Sequence, residues 1–125
     1  MNQEDYISFL KGKLTVERAM ESMITEIGSG VYAYMVMLGN AGREHESEFY
    51  EDIRKEVFDI RSKVSEPGTD FAELSNRMRV VAEKLRTAEI FLWAHKPQEA
   101  GLLQSVANES LGLIWKLKEF KKEPR

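Results

Sequence analysis

Apolar residues recur at steps of three and four along most of this chain, the spacing of one face of an α-helix. Between Glu4 and Ile27, the residues Tyr6, Phe9, Leu10, Val16, Met20, Met23, Ile24 and Ile27 fall on one side of such a helix. Lys11-Gly12-Lys13 interrupts them, and a mid-helix glycine costs about 1 kcal/mol against alanine, so two helical pieces are predicted. Tyr50, Ile53, Val57, Ile60 and Val64 form a coiled-coil-like seam that Phe49 and Phe58 widen. Leu74, Met78, Val81, Leu85, Ala88, Leu92 and His95 form a second. Ser65-Glu66-Pro67-Gly68 separates the seams, and Asp70 with Glu73 reads as a capping box. Two seams joined by a short turn predict an antiparallel helical hairpin. Pro97 suits the first position of a last helix, whose buried face is Leu103, Val106, Ala107, Ser110, Leu113, Ile114, Leu117 and Phe120.

One stretch lacks this alternation. Val31 to Leu38 is an unbroken apolar run, bracketed by Gly28-Ser29-Gly30 and by Gly39 to Gly42. It is too short to span a bilayer, and its period alone fits helix or strand; the helical neighbours on both sides favour a buried helix at the centre of the fold, with a bend permitted at each glycine cluster. The expected fold class is all-α: a single-domain bundle of four to five helices over residues 1–125, with a central buried apolar helix and a frayed end at 118–125.

Composition narrows the function classes. A chain of 125 residues forms one core, and no internal repeat or linker divides it. The absence of cysteine excludes disulfides, thiolate metal sites and thiol nucleophiles. The opening MNQEDYISFL is acidic and lacks the layout of a signal peptide, which predicts a cytoplasmic protein with no membrane partner. With a formal charge of −3, any nucleic-acid binding must use a local patch.

Candidate chemistry is sparse. Glu44, Glu46, Glu48, Glu51, Asp52, Glu56 and Asp59 crowd one helix. Helical nucleotide pyrophosphohydrolases need carboxylates from at least two helices to hold magnesium. Here Arg54, Lys55, Arg61 and Lys63 are interleaved with the acids, as on a solvated face. His45 lacks the Glu-x-x-His spacing of di-iron bundles, and His95 is placed to bond helix-terminal carbonyls. Asn108-Glu109-Ser110 matches the glycosylation pattern but sits mid-helix. No catalytic residue, metal or cofactor is expected.

The tryptophans carry more information. Trp115 points away from the buried face of the last helix, with Lys118 and Lys122 beside it, while Arg79, Arg86 and Trp93 are spaced by seven. A flat ring flanked by cations can stack a base while the cations hold phosphate. The plainer alternative packs each ring on another helix or subunit under lysine stems. Arg79, Arg86, Trp115, Lys118 and Lys122 are therefore the candidate RNA-binding residues. Phe49, Phe58, Val80, Ile90 and Phe91 exceed what one small bundle hides, which predicts a dimer or higher assembly.

The run Glu109-Ser110-Leu111-Gly112-Leu113-Ile114-Trp115-Lys116-Leu117-Lys118-Glu119-Phe120 resembles the closing helix of the Cmr small-subunit family. That helix typically reads glutamate, a small residue, leucine, a further leucine pair, then Trp-Leu-Lys-Arg-Phe. Gly30-Val31 and the apolar run after it resemble the family's central Gly-Leu segment. Trp115 stands one position early, Glu119 replaces a basic residue, and the Leu-Pro pair before the central glycine is absent. Members are all-helical, non-catalytic subunits of type III-B CRISPR RNA-guided effector complexes. The resemblance implies copies stacked along a guide–target RNA duplex through backbone contacts.

Three readings follow. The first is a non-catalytic helical subunit of a multi-protein complex that binds RNA. The second is a helical adapter or homodimeric module without nucleic acid, and the third a small metal-dependent nucleotide pyrophosphohydrolase.

Overall fold

A computed structural model describes residues 2–11 and 16–119. The side chain of Phe9, together with Gly12, Lys13, Phe120 and Lys122, lies outside that description. The described residues form five α-helices and no strand: α1 (Gln3–Leu10), α2 (Val16–Asn40), α3 (Glu44–Lys63), α4 (Phe71–His95) and α5 (Pro97–Glu119). The all-α bundle is as expected. Helix α4 packs most extensively on α5 and α2 on α3, with lighter contacts between α2 and α5 and between α3 and α4.

Each turn has a local cause. At the end of α2 the Arg43 N–H donates to the Leu38 carbonyl at 2.8 Å and the Gly42 N–H to the Gly39 carbonyl at 3.1 Å. This is a Schellman cap, and Gly42 supplies its left-handed residue at φ 74°. Gly68 does the same for the α3–α4 turn at φ 73°. Asp70 then caps α4 by accepting from the N–H groups of Ala72 and Glu73. Only Lys96 separates α4 from α5, and Pro97 opens α5, where a missing N–H is harmless.

The seams are largely buried where the periodicity placed them, with Ala88 and Ile114 only partly buried. Tyr50, Ile53, Val57, Ile60 and Val64 are buried on α3, as are Leu74, Met78, Val81, Leu85 and Leu92 on α4. On α5, Leu103, Val106, Ala107, Ser110, Leu113 and Leu117 are buried. His95 is exposed rather than on the seam, and α5 stays helical through Lys118 and Glu119, inside the stretch expected to fray.

The segment around Val31 differs from expectation. Helix α2 runs without a break through Gly28-Ser29-Gly30. Those glycines serve close approach, not bending: a Cβ on Gly28 would lie 3.1 Å from Phe58 Cζ, and one on Gly30 only 2.7 Å from Val106 Cγ2. Nor is the apolar run buried all round. Val31, Tyr34 and Leu38 enter the core, while Tyr32 is 53% and Val36 44% exposed. Tyr32 instead lies under the Arg54 guanidinium, 5.4 Å from its ring centroid. Helix α1 also stands outside the core. Tyr6 and Leu10 are exposed, and the Ser22 hydroxyl donates to Asp5 to tether the helix.

Candidate functional site

Two polar networks lie partly inside the bundle. In the first, the Tyr34 hydroxyl donates to Glu99 Oε1 and Arg43 Nη1 donates to Glu99 Oε2, each at 2.7 Å. Arg43 also grips both oxygens of Glu46. The Tyr34 ring meets Tyr50 edge-on, with centroids 4.9 Å apart. Burial, then the bond to Glu99, pushes the Tyr34 hydroxyl well above its usual range. Burial pushes the Glu99 carboxyl up, but Arg43 and Tyr34 outweigh it and hold the group below the usual carboxylate range. Tyr34 thus stays protonated and Glu99 ionised, with both carboxylate oxygens occupied. This is a clasp joining α2, the α2–α3 turn and α5. It offers no acid or base poised near neutrality.

The second network lies between α4 and α5. Glu89 is 3% exposed, yet Arg86 Nη1 donates to its Oε1 at 2.7 Å and the Trp93 indole N–H to its Oε2 at 2.9 Å. Arg86 Nη2 reaches across to Asn108 at 2.9 Å. The buried carboxylate therefore fixes Trp93 and neutralises Arg86. Sequence reasoning missed Glu89. Its signal was a lone carboxylate within the otherwise uncharged run Thr87 to His95.

The candidate RNA-binding residues separate into three groups. Arg79 and Lys118 come together on the rim of a groove of about 160 Å³ between α4 and α5, lined also by Ala72, Ser75, Asn76 and Ile114. Arg79 donates to Asn76 Oδ1, and the Lys118 ammonium lies 5.4 Å from the centroid of the Trp115 ring. Neither cation has a carboxylate partner among the described residues. Trp115 is 62% exposed beside them. Arg86 lies two turns further along α4, about 10 Å away along the axis, with its charge already compensated. Lys122 lies outside the described residues.

Charge is segregated along the chain. Residues 1–70 hold eight basic and fourteen acidic side chains, whereas residues 71–125 hold ten basic and seven acidic. A second groove of about 320 Å³, between α2 and α5, is bordered by Glu26 and Glu109. The two grooves are thus bordered by side chains of opposite charge.

Four of the seven acids of α3 meet arginines, Glu46 through Arg43 as above. Glu51 pairs with Arg54, and Glu56 and Asp59 with Arg77 of α4. Among the described residues no set of three or more His, Asp or Glu side chains is placed to hold a metal ion. His95 Nδ1 lies 2.9 Å from the Phe91 carbonyl, and its ring stacks on Phe91. No helix among the described residues is long and apolar enough to cross a membrane. Comparison with protein-family models, characterised proteins and solved structures finds no match to this chain.

Proposed function

We propose that this protein is a non-catalytic helical subunit that acts by association within a larger assembly, using the open face of the α4–α5 hairpin. The observation that carries this reading is the crowding of exposed large apolar side chains on these two helices. Val80, Ile90, Phe91 and Trp93 on α4, with Leu111 and Trp115 on α5, are all at least 41% exposed. Aromatic residues and arginine at this density, with few exposed acids between them, mark protein interface cores. The test is the mass at which the protein runs in gently lysed native cells. A species well above the 14.4 kDa monomer is expected, reduced by the pair Leu111→Glu and Trp115→Ala. A free monomer in the extract would exclude the reading.

RNA is the second reading, favoured by the Arg79–Lys118 groove with Trp115 at its edge. Two uncompensated cations beside an exposed ring suit a phosphate and a stacked base. The resemblance to Cmr small subunits points the same way. Its test is titration with RNA at several salt concentrations.

A further inference from the structure

We infer that the groove between α4 and α5 takes an unpaired stretch of RNA, its phosphates held at Arg79 and Lys118 and one of its bases stacked on Trp115. This rests on the RNA reading above and deepens it by naming the single strand, not the duplex, as the form bound. Arg79 comes from α4 and Lys118 from α5, and both line the same groove. The acids nearest to them along these helices are Glu73, Glu83 and Glu119. Among the described residues none of the three forms an ion pair with either cation. Asn76 also lines the groove; its amide oxygen accepts from Arg79, and its amide NH2 adds a neutral donor beside the two charged ones.

Size separates phosphate from base. The groove's volume of about 160 Å³ matches roughly five waters at ~30 Å³ each, room for a phosphate group but not for a base or a base pair. A base attached to that phosphate therefore lies on the rim, where Trp115 is 62% exposed. Lys118 couples the two places, because it lines the groove and its ammonium lies 5.4 Å from the ring centroid. Trp115 keeps its exposure despite that ammonium, so ring surface remains for a second partner.

A duplex makes poor use of this arrangement. Within it each base face is already covered by its neighbours, and only an unpaired base can splay out onto an aromatic ring. Nor do the cations form the extended track that a duplex backbone follows across successive grooves. Arg86, the next arginine along α4, lies about 10 Å further on and is bound to Glu89. Two phosphate contacts and one stacked base make a weak site. It is also indifferent to sequence, because every base has a face to stack.

The test titrates the purified chain at low salt with oligouridylate of about 16 nucleotides and with a blunt RNA duplex of the same length, read by anisotropy and by tryptophan emission. The single strand is expected to bind at least about fivefold tighter than the duplex and to quench the emission. Trp115→Phe, which keeps a ring but no indole, should bind within about threefold of the parent and lose the quench. Trp115→Leu, at the same 62% exposed position, should bind at least about fivefold more weakly with an unchanged melting temperature. A duplex bound as tightly as the single strand, a quench that survives in Trp115→Phe, or Trp115→Leu binding like the parent would overturn the inference while the RNA reading stands. No binding to either probe would remove both.

Discussion

The Tyr34 hydroxyl on α2 donates to the Glu99 carboxylate in the first turn of α5, 2.7 Å away. Arg43 closes the arrangement from the α2–α3 turn. Removing Glu99 leaves a tyrosine hydroxyl and a guanidinium without their shared acceptor. Glu99→Ala is expected to destabilise by about 2–3 kcal/mol and Tyr34→Phe by about 1 kcal/mol. The two should be strongly non-additive in urea unfolding, because both remove the same bond.

Carboxylates held below their usual range give the stability a definite acid limb. Glu99, Glu46, Glu51 and Asp59 are all shifted down, the last three chiefly by hydrogen bonds from Arg43, Arg54 and Arg77. A depressed carboxylate contributes stability that is complete above its unfolded value, about 4, and is lost as pH falls through its folded value. Stability from these groups should be flat from neutral pH to about 5 and decline below about 4. Arg77→Gln should lower the plateau and flatten the decline. An unchanged slope in that variant would show that Arg77 is not the cause.

Burial along α2 alternates within the apolar run, so aspartate substitutions there should diverge. Val31→Asp buries a charge at a fully enclosed position and should cost several kcal/mol. Val36→Asp, at a 44% exposed position, should change stability by no more than about 0.5–1 kcal/mol. Equal losses in thermal melts would mean that α2 is enclosed on all sides.

The glycines of α2 should diverge as well. Gly30→Ala forces Val106 and α5 to move and should destabilise by about 1–3 kcal/mol. Gly39→Ala meets open space in a helical conformation and should stabilise by about 0.5–1 kcal/mol. The sign of the difference in melting temperature decides the matter.

Much of this architecture was legible because the seams of α3, α4 and α5 obey strict helical spacing. Asp70, Gly68 and Pro97 then mark where helices start or stop. Gly28 and Gly30 misled for a physical reason. Glycine permits both a bend and a close helix approach, and only the presence of Phe58 and Val106 distinguishes them. An unbroken apolar run likewise hides its own orientation, since Tyr32 and Val36 differ from Val31 only in what lies opposite. Arg79 and Lys118 share a groove through the rotation of α4 against α5, which no spacing within either helix encodes. Glu89 reads as an ordinary surface partner of Arg86, yet it is enclosed between the helices.

For RNA, the structure divides the cations by their partners. Arg79 and Lys118 are uncompensated, whereas Arg86 is bound to Glu89. Arg79→Gln and Lys118→Gln should each reduce the salt slope of RNA binding by about one unit, and Arg86→Gln by much less. Equal effects from all three would place the contact elsewhere on the hairpin.

The central claim is that the α4–α5 face touches other macromolecules in the cell. The most direct measurement is photo-crosslinking from a benzoylphenylalanine placed at Trp115, compared with one at Asp52 on the exposed acidic side of α3. Adducts heavier than the chain are expected from position 115 and not from position 52. Protease or ribonuclease sensitivity of the adduct then names its chemistry. No adduct from position 115, or a stronger one from position 52, would contradict the claim.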